Sequence, residues 1–207
     1  MRNVHPVRSN CVLEHSRSPG EHSRRGSRRS ILRPVVFTAV DRRTLPLSSL
    51  QESFKNVMAH VATPVAVVTS IDGGLPVGTT VSAFLSLSMD PPMILVSLDR
   101  GSETLELITE TGKFGMNILS SEQPRAALKF ATKNGLGKFH GVRWDLDHDL
   151  PRIEGAAGWV ACTVERFVEG GDHMIVLGRV VAADRLDGEP LTYHRRVFGT
   201  HRALETV

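Results

Sequence analysis

Between Gly78 and Pro92 the chain reads GTTVSAFLSLSMDPP and alternates with period two. Thr79, Val81, Ala83, Leu85, Leu87 and Met89 form a row that is nearly all apolar. Thr80, Ser82, Phe84, Ser86 and Ser88 form a row that is nearly all hydroxyl-bearing. Such alternation predicts a strand with one face for a core and one for something polar. The polar row holds none of the Lys, Glu, Arg or Gln expected on a merely solvated face. Short hydroxyls let another molecule approach the backbone closely while offering donors and acceptors, which suits a polyol or phosphate chain. An ordinary amphipathic strand rich in Ser and Thr is the plain alternative.

The remaining pattern predicts elements on both sides of this strand. Ser48 with Gln51 and Ser49 with Glu52 are overlapping capping boxes. Leu50, Phe54, Val57, Met58 and Val61 follow at helical spacing, giving an amphipathic helix over 49–61 that ends at Thr63-Pro64. Val65 to Thr69 reads as a buried strand, and Asp72-Gly73-Gly74 as a tight turn into the alternating stretch. Asp90-Pro91-Pro92 breaks that stretch. Met93–Leu98 is a strand, Ser102 caps a short helix, and Lys113–Leu119 is a strand. Ser120 and Gln123 open a helix running to about Thr132. Residues 133–152 read as loop. Trp159–Val168 and Met174–Ala183 are strands joined by a tight turn, and Tyr193–Gly199 is a last strand. Strands do not alternate regularly with helices, so a parallel doubly wound sheet is disfavoured. A mostly antiparallel barrel with peripheral helices fits better.

Composition changes this picture only at the N-terminus. A chain of 207 residues with 41% hydrophobic content suits one domain with a real core. Residues 1–43 hold ten Arg against Glu14, Glu21 and Asp41, or +7; the chain total of +3 therefore leaves −4 on residues 44–207. The basic character belongs to a tail, taken as residues 1–44, and the folded part to residues 45–207. The tail has almost nothing apolar to bury and is expected to be disordered. It could instead bind nucleic acid or an anionic surface, be a transit segment, or reflect a start codon assigned too far upstream. A nucleic-acid role is not favoured. No apolar run approaches the ~18 residues of a membrane span, and no secretory signal is evident. Cys11 and Cys162 are far apart and form no CxxC, so a cytoplasmic, reducing setting is expected.

Several familiar chemistries are excluded. Gly135-Leu136-Gly137 is followed by Gly141 and preceded by a helix, which fails the dinucleotide fingerprint in spacing and context. There is no P-loop and no GxSxG elbow. Asp145, Asp147 and Asp149 would need Gly where Leu150 stands and Glu where Ala156 stands to form a calcium loop; no metal site is expected. Cys162 lies in an apolar run and reads as an inert core residue. His173 leaves a turn built from Gly170, Gly171 and Asp172. It is either a surface turn residue or a group able to touch a ligand and titrate near neutrality.

The order of motifs from Phe54 to Phe198 resembles the flavin reductase family of the FMN-binding split barrel. The carriers are Ala62-Thr63-Pro64-Val65, Gly78 to Phe84, Ser86-Leu87-Ser88, Pro91-Pro92 and Phe114 to Ser120 with Gln123. They continue with Phe130-Ala131, Lys138-Phe139, Gly171-Asp172-His173, Gly178-Arg179-Val180 and Pro190-Leu191 with Tyr193. The resemblance implies a mainly β fold, a six-stranded antiparallel split β-barrel with peripheral helices, as a homodimer. It implies reduction of free FMN or FAD by NADH or NADPH, the reduced flavin passing to a transient partner monooxygenase. It places Gly78, Thr79, Thr80, Val81, Ser82, Ala83, Phe84, Ser86 and Ser88 along the flavin. Thr63, Pro64 and Val65 would lie near its ring, with Ser97, Leu98, Asp99 and Asn117 completing the pocket. His173 would lie near the nicotinamide and be the candidate catalytic residue.

Two departures stand out. Relatives often carry Asn-Ser-Phe where this chain has Ser82-Ala83-Phe84. A glycine-rich run after Pro-Leu-x-Tyr is replaced by His194-Arg195-Arg196, arginines that could help bind a phosphate or pyrophosphate, or simply be solvated. Hydride chemistry resides in the cofactors, so no acid–base dyad is expected. A non-catalytic flavin carrier or sensor on the same barrel is the rival reading.

Overall fold

In the computed structural model, which describes residues 47–133 and 137–204, the alternation and punctuation resolve into twelve strands and three helices among those residues. They are α1 (Leu47–Met58), β1 (Thr63–Pro64), β2 (Ala66–Asp72), β3 (Leu75–Val81), β4 (Phe84–Met89), β5 (Pro92–Asp99), α2 (Glu103–Thr111) and β6 (Lys113–Ile118). After these come α3 (Pro124–Phe130), β7 (Trp144–Asp147), β8 (Leu150–Ile153), β9 (Gly158–Gly170), β10 (His173–Arg185), β11 (Leu191–His194) and β12 (Val197–Thr200). The Arg-rich segment 1–44 lies outside the described residues.

β2 explains the unbroken apolar run in its sequence. Ala66 and Val68 join one core with Val96, Leu98, Phe114, Cys162 and Val176. Val65 and Val67 join a second core with Leu119, Phe130, Phe139 and Leu191 on the other side. A strand covered on both faces carries hydrophobic residues at every position rather than alternate ones. Helix α2 closes the first core with Leu105 and Ile108, and α3 closes the second with Ala127 and Phe130.

The main sheet is antiparallel throughout its pairings, in the order β3-β2-β6-β9-β10-β5-β4. It has seven strands where six were expected. The extra strand comes from the alternating stretch, which is two strands and not one. Val81 at the end of β3 is buried, and so is much of Phe84 at the start of β4, which packs on the same core. Those two positions have opposite parity, so the phase slips at Ser82-Ala83. The expected core row then turns outward: Leu85, Leu87 and Met89 are 52%, 42% and 81% exposed.

This slip shapes the molecule. β3 and β4 occupy opposite edges of the seven-stranded order, yet only Ser82 and Ala83 separate them in sequence. A two-residue link spans less than about 11 Å even when fully extended. The sheet must therefore curl until its edges meet at one corner. Ser97 N, on β5, donates to Ala83 O at 2.9 Å and fastens the corner.

Two hairpins were missed by the sequence pattern. The stretch expected to be loop contains β7 and β8, joined by His148 and Asp149 at φ 52° and 54°. The expected last strand is β11 and β12, joined by Arg195 and Arg196 at φ 50° and 66°. Both turns use left-handed backbone without the glycine or asparagine that normally announces it.

Candidate functional site

The corner where the curled sheet meets itself opens a groove. β3 is an edge strand, so its outer backbone groups face no further strand. Thr79, Thr80, Val81, Ser82 and Ala83 line the central part, facing Ser97, Leu98, Asp99 and His173 across about 210 Å³. The hydroxyls of Thr79 and Ser82 have no protein partner among the described residues. The Thr80 hydroxyl is spent locally, donating to Ala127 O at 2.7 Å and tying β3 to α3.

On one side the groove widens into an apolar cleft of about 320 Å³. Val65, Val81, Ala127, Leu128, Ala131, Tyr193 and Phe198 form its walls, and Arg196 is its one charged residue. Tyr193 and Phe198 are cross-strand partners with ring centroids 5.1 Å apart. On the other side it runs into a polar recess of about 250 Å³ beside the start of α2, with Thr79, Asp99, Ser102, Lys133 and Lys138. Lys138 Nζ donates to Gly78 O at 3.1 Å. Burial holds its ammonium below the usual lysine range.

His173 is set by backbone geometry. It opens β10 directly across from Asp99 on β5. The turn before it has Gly171 at φ 71° and is braced by Arg100, whose N and Nε donate to Asp172 O and Gly171 O at 3.1 and 2.9 Å. Asp172 Oδ1, on an exposed side chain, lies 2.8 Å from His173 Nδ1, and Nε2 is left uncommitted. That contact holds the Asp172 carboxyl below its ordinary range. The Asp99 carboxyl is held low chiefly by the Gly101 N–H, 2.8 Å away, with the Lys133 charge next.

The structure thus gathers Val65, Thr79, Thr80, Val81, Ser82, Ala83, Ser97, Leu98, Asp99 and His173 around one groove. Other expected site residues lie elsewhere. Asn117 is fully buried, and its polar atoms are engaged inside the protein. Its Nδ2 lies 3.2 Å from Val67 O and 3.3 Å from both Thr69 Oγ1 and Pro151 O, while its Oδ1 accepts from Ile153 N at 2.6 Å. It staples β6 to β2 and β8. Ser86 and Ser88 sit along β4, beyond the lining of the groove. Phe84 packs on the core, Gly78 packs on Phe130, and Thr63 and Pro64 pair with Tyr193 and Thr192 behind the cleft wall. Sequence reasoning missed Ser102, Leu128 and Lys133, and raised Arg196 only as one of two arginines that meet a phosphate or are solvated. Tyr193, Phe198 and Lys138 fell within matched motifs, but their convergence depends on hairpin docking that no local pattern displays.

The groove fits a flavin by its chemistry. An apolar cleft suits a planar ring and a strand edge with free hydroxyls suits a polyol; the recess offers Ser102, Lys133 and Lys138 to a phosphate beside the carboxylates of Asp99 and Glu103. Together the three parts reach the size of small-molecule sites, whereas the central part alone falls short of the usual ~300 Å³.

The sequence profile described as "Flavin reductase like domain" matches residues 58–202. A probable flavin reductase of Rhizobium meliloti is 36% identical over 152 residues, 72% of this chain; the match spans about half, 49%, of that protein's length. The reductase component of a 4-nitrophenol 4-monooxygenase/4-nitrocatechol 2-monooxygenase of Rhodococcus opacus is 39% identical over 146 residues, covering 70% of this chain and 78% of that protein. Among solved structures, the NADH:FAD oxidoreductase of Streptomyces globisporus in complex with NAD and FAD fragments superposes with a TM-score of 0.72. It is 29% identical, covering 79% of this chain and 99% of that one.

Proposed function

The chain belongs to the flavin reductase like domain family, and from that premise we propose that it reduces free FMN or FAD with NADH and supplies the reduced flavin to a partner monooxygenase. The observation that carries this reading is the groove at the sheet corner, where free hydroxyls of an edge strand face His173 and Ser97–Asp99.

When bound, the flavin supplies the hydride acceptor and the nicotinamide the donor. The protein's task is to hold two rings in register and keep water from between them. Val65, Val81, Leu128 and Ala131 offer the apolar wall for a ring. Thr79 and Ser82 offer hydroxyls to a polyol. Lys133, Lys138 and Ser102 offer charge and a donor to a phosphate. His173, its Nδ1 turned to Asp172, orients the nicotinamide through Nε2. The cleft is open to solvent in one chain. A second copy laid on the exposed row of Leu85, Leu87 and Met89, or on the apolar face of α1, would form a homodimer. A reducing, cytoplasmic setting suits Cys162, a buried free thiol.

The test is loss of NADH absorbance by purified protein with and without added FMN or FAD, beside the visible spectrum of the protein as isolated. Oxidation that depends on added flavin is the expected result. A yellow protein that leaves NADH untouched would replace the reductase with a flavin carrier. In the same assay His173→Ala should lower turnover with NADH on the order of 10- to 100-fold. Its flavin affinity, read by fluorescence quenching, should stay near wild type. Unchanged steady-state kinetics would remove His173 from the site.

A further inference from the structure

The turn joining β11 to β12 is two residues long, with His194 paired to Val197 across it and Arg195 and Arg196 at φ 50° and 66° between them. Two-residue hairpin turns with both central φ values positive favour Asn-Gly, because a side chain crowds the left-handed backbone. Two consecutive arginines are a poor choice for the turn itself. Non-glycine residues held in sparsely populated backbone persist where the surroundings over-determine them, often at ligand clamps.

The two chain segments that meet at this turn carry a single sign of charge. From Leu191 to Arg202 there is no acidic residue, against Arg195, Arg196, Arg202, His194 and His201. The end of α1 docks on this turn through Arg195 N donating to Ala59 O at 2.7 Å, with His60 edge-on to His194 at 6.5 Å. Between Lys55 and Ile71 there is again no acid. Among the described residues neither turn guanidinium has an ion-pair or hydrogen-bond partner. Arg196 nevertheless lines the apolar cleft beside Ser82, Tyr193 and Phe198.

An unpaired guanidinium on the wall of a cleft shaped for a flat ring calls for a ligand that is aromatic at one end and anionic beside it. Guanidinium forks match phosphate oxygens in geometry as well as charge. We propose that the Arg195-Arg196 turn binds the diphosphate of a dinucleotide whose ring system occupies the groove, and so sets a preference for dinucleotide over mononucleotide. This rests on the flavin and nicotinamide reading above. Because the recess at Ser102, Lys133 and Lys138 takes the flavin's own phosphate, the diphosphate at the turn is that of NADH; FAD carries the same chemistry and is the alternative that the titration separates.

The experiment is calorimetric titration of the full chain and two variants, Arg196→Gly and Arg195→Asn/Arg196→Gly, whose new residues suit the turn. The probes are riboflavin, FMN, FAD, nicotinamide mononucleotide and NAD+, each at two salt concentrations, with the melting temperature recorded alongside. Both variants should melt at or above the wild-type temperature, because the turn is relieved. Affinity for FAD or for NAD+ should fall about tenfold or more and lose part of its salt dependence. Riboflavin, which meets Arg196 only through the ring cleft, should weaken far less. A loss confined to FAD relative to FMN assigns the diphosphate to the flavin; one confined to NAD+ relative to the mononucleotide assigns it to the hydride donor. If FAD and NAD+ bind both variants as tightly as wild type, or if riboflavin weakens equally, the proposal is overturned while the reductase reading stands. If the wild-type chain binds no flavin and no nicotinamide nucleotide, both fall together.

Discussion

Cys162 and Asn117 show how burial decides a side chain's role. Cys162 lies in the first core, and desolvation pushes its thiol pKa up to about 12. The nucleophilic thiolate is therefore scarce at neutral pH. In a Cys11→Ser background, a thiol-specific disulfide reagent should leave Cys162 unmodified in the folded protein and label it once denaturant is added; fast labelling of that native protein would contradict this. The family resemblance implies a place for Asn117 in the flavin pocket. Its neighbours two strands away satisfy it instead, and only tertiary structure brings Pro151 and Ile153 within reach. Asn117→Ala leaves the buried Ile153 N–H without its acceptor, and urea unfolding should show a loss of about 2–4 kcal/mol. Asp147 shows a charge effect. Its carboxyl is held below the ordinary range by the Arg152 hydrogen bond at 2.5 Å, then by His148. That contribution to stability is complete above the ordinary carboxylate range and fades as pH falls through the lowered value. Asp147→Asn should flatten the acid limb of the stability profile and leave its shape near neutrality unchanged.

Elements were legible where local pattern and tertiary demand agree. The β2–β3 hairpin is an example: Gly73 and Gly74 take φ 53° and 80°, and Asp72 pairs with Leu75 as the turn dictates. α2, β6, β9 and β10 follow their periodicity in the same way. The Ser120–Gln123 signal was half right, since the Gln123 side chain accepts from Ser120 N at 3.1 Å but Gln123 itself holds the N-cap position of α3, with no capping bond from its side chain. β7 and β8 stayed hidden, and β11 and β12 read as one strand, because their turns lack glycine. Glycines inside strands carry a different message. An added Cβ on Gly115 of β6 would stand 2.1 Å from Trp159 Cη2, and one on Gly178 of β10 would stand 2.5 Å from Phe114 Cζ. These are the seats of the two large core rings. Gly115→Ala should destabilise by about 1–3 kcal/mol or more, read from the denaturation midpoint at unchanged slope.

At the scale of the whole molecule, the barrel-like curl was foreseen through resemblance, and the strand count was not. Period-two reading has no means of detecting a phase slip inside a Ser- and Thr-rich run. The groove was legible as a list of residues from Thr79 to Ala83, and its outer wall was not, because Tyr193, Phe198 and Arg196 arrive from the far end of the chain. No helix among the described residues is long and apolar enough to cross a membrane. The exposed row on β4 bears on assembly: sedimentation should report a dimer for the wild type, and Leu85→Glu/Leu87→Glu should shift it toward monomer.

The Ser82-Ala83 link gives the sheet a covalent return path. From β3 the hydrogen-bonded ladders run in series to β4, and the chain itself completes the circuit, like the clasp of a bracelet. The diameter of the bracelet is then fixed by the clasp and not by the ladders. Two glycines inserted between Ser82 and Ala83 would leave every ladder intact and let the ring relax. Such a chain should keep its far-ultraviolet spectrum, yet hold a nucleotide weakly, since Thr79–Ser82 and Ser97–His173 would no longer be kept at a fixed span.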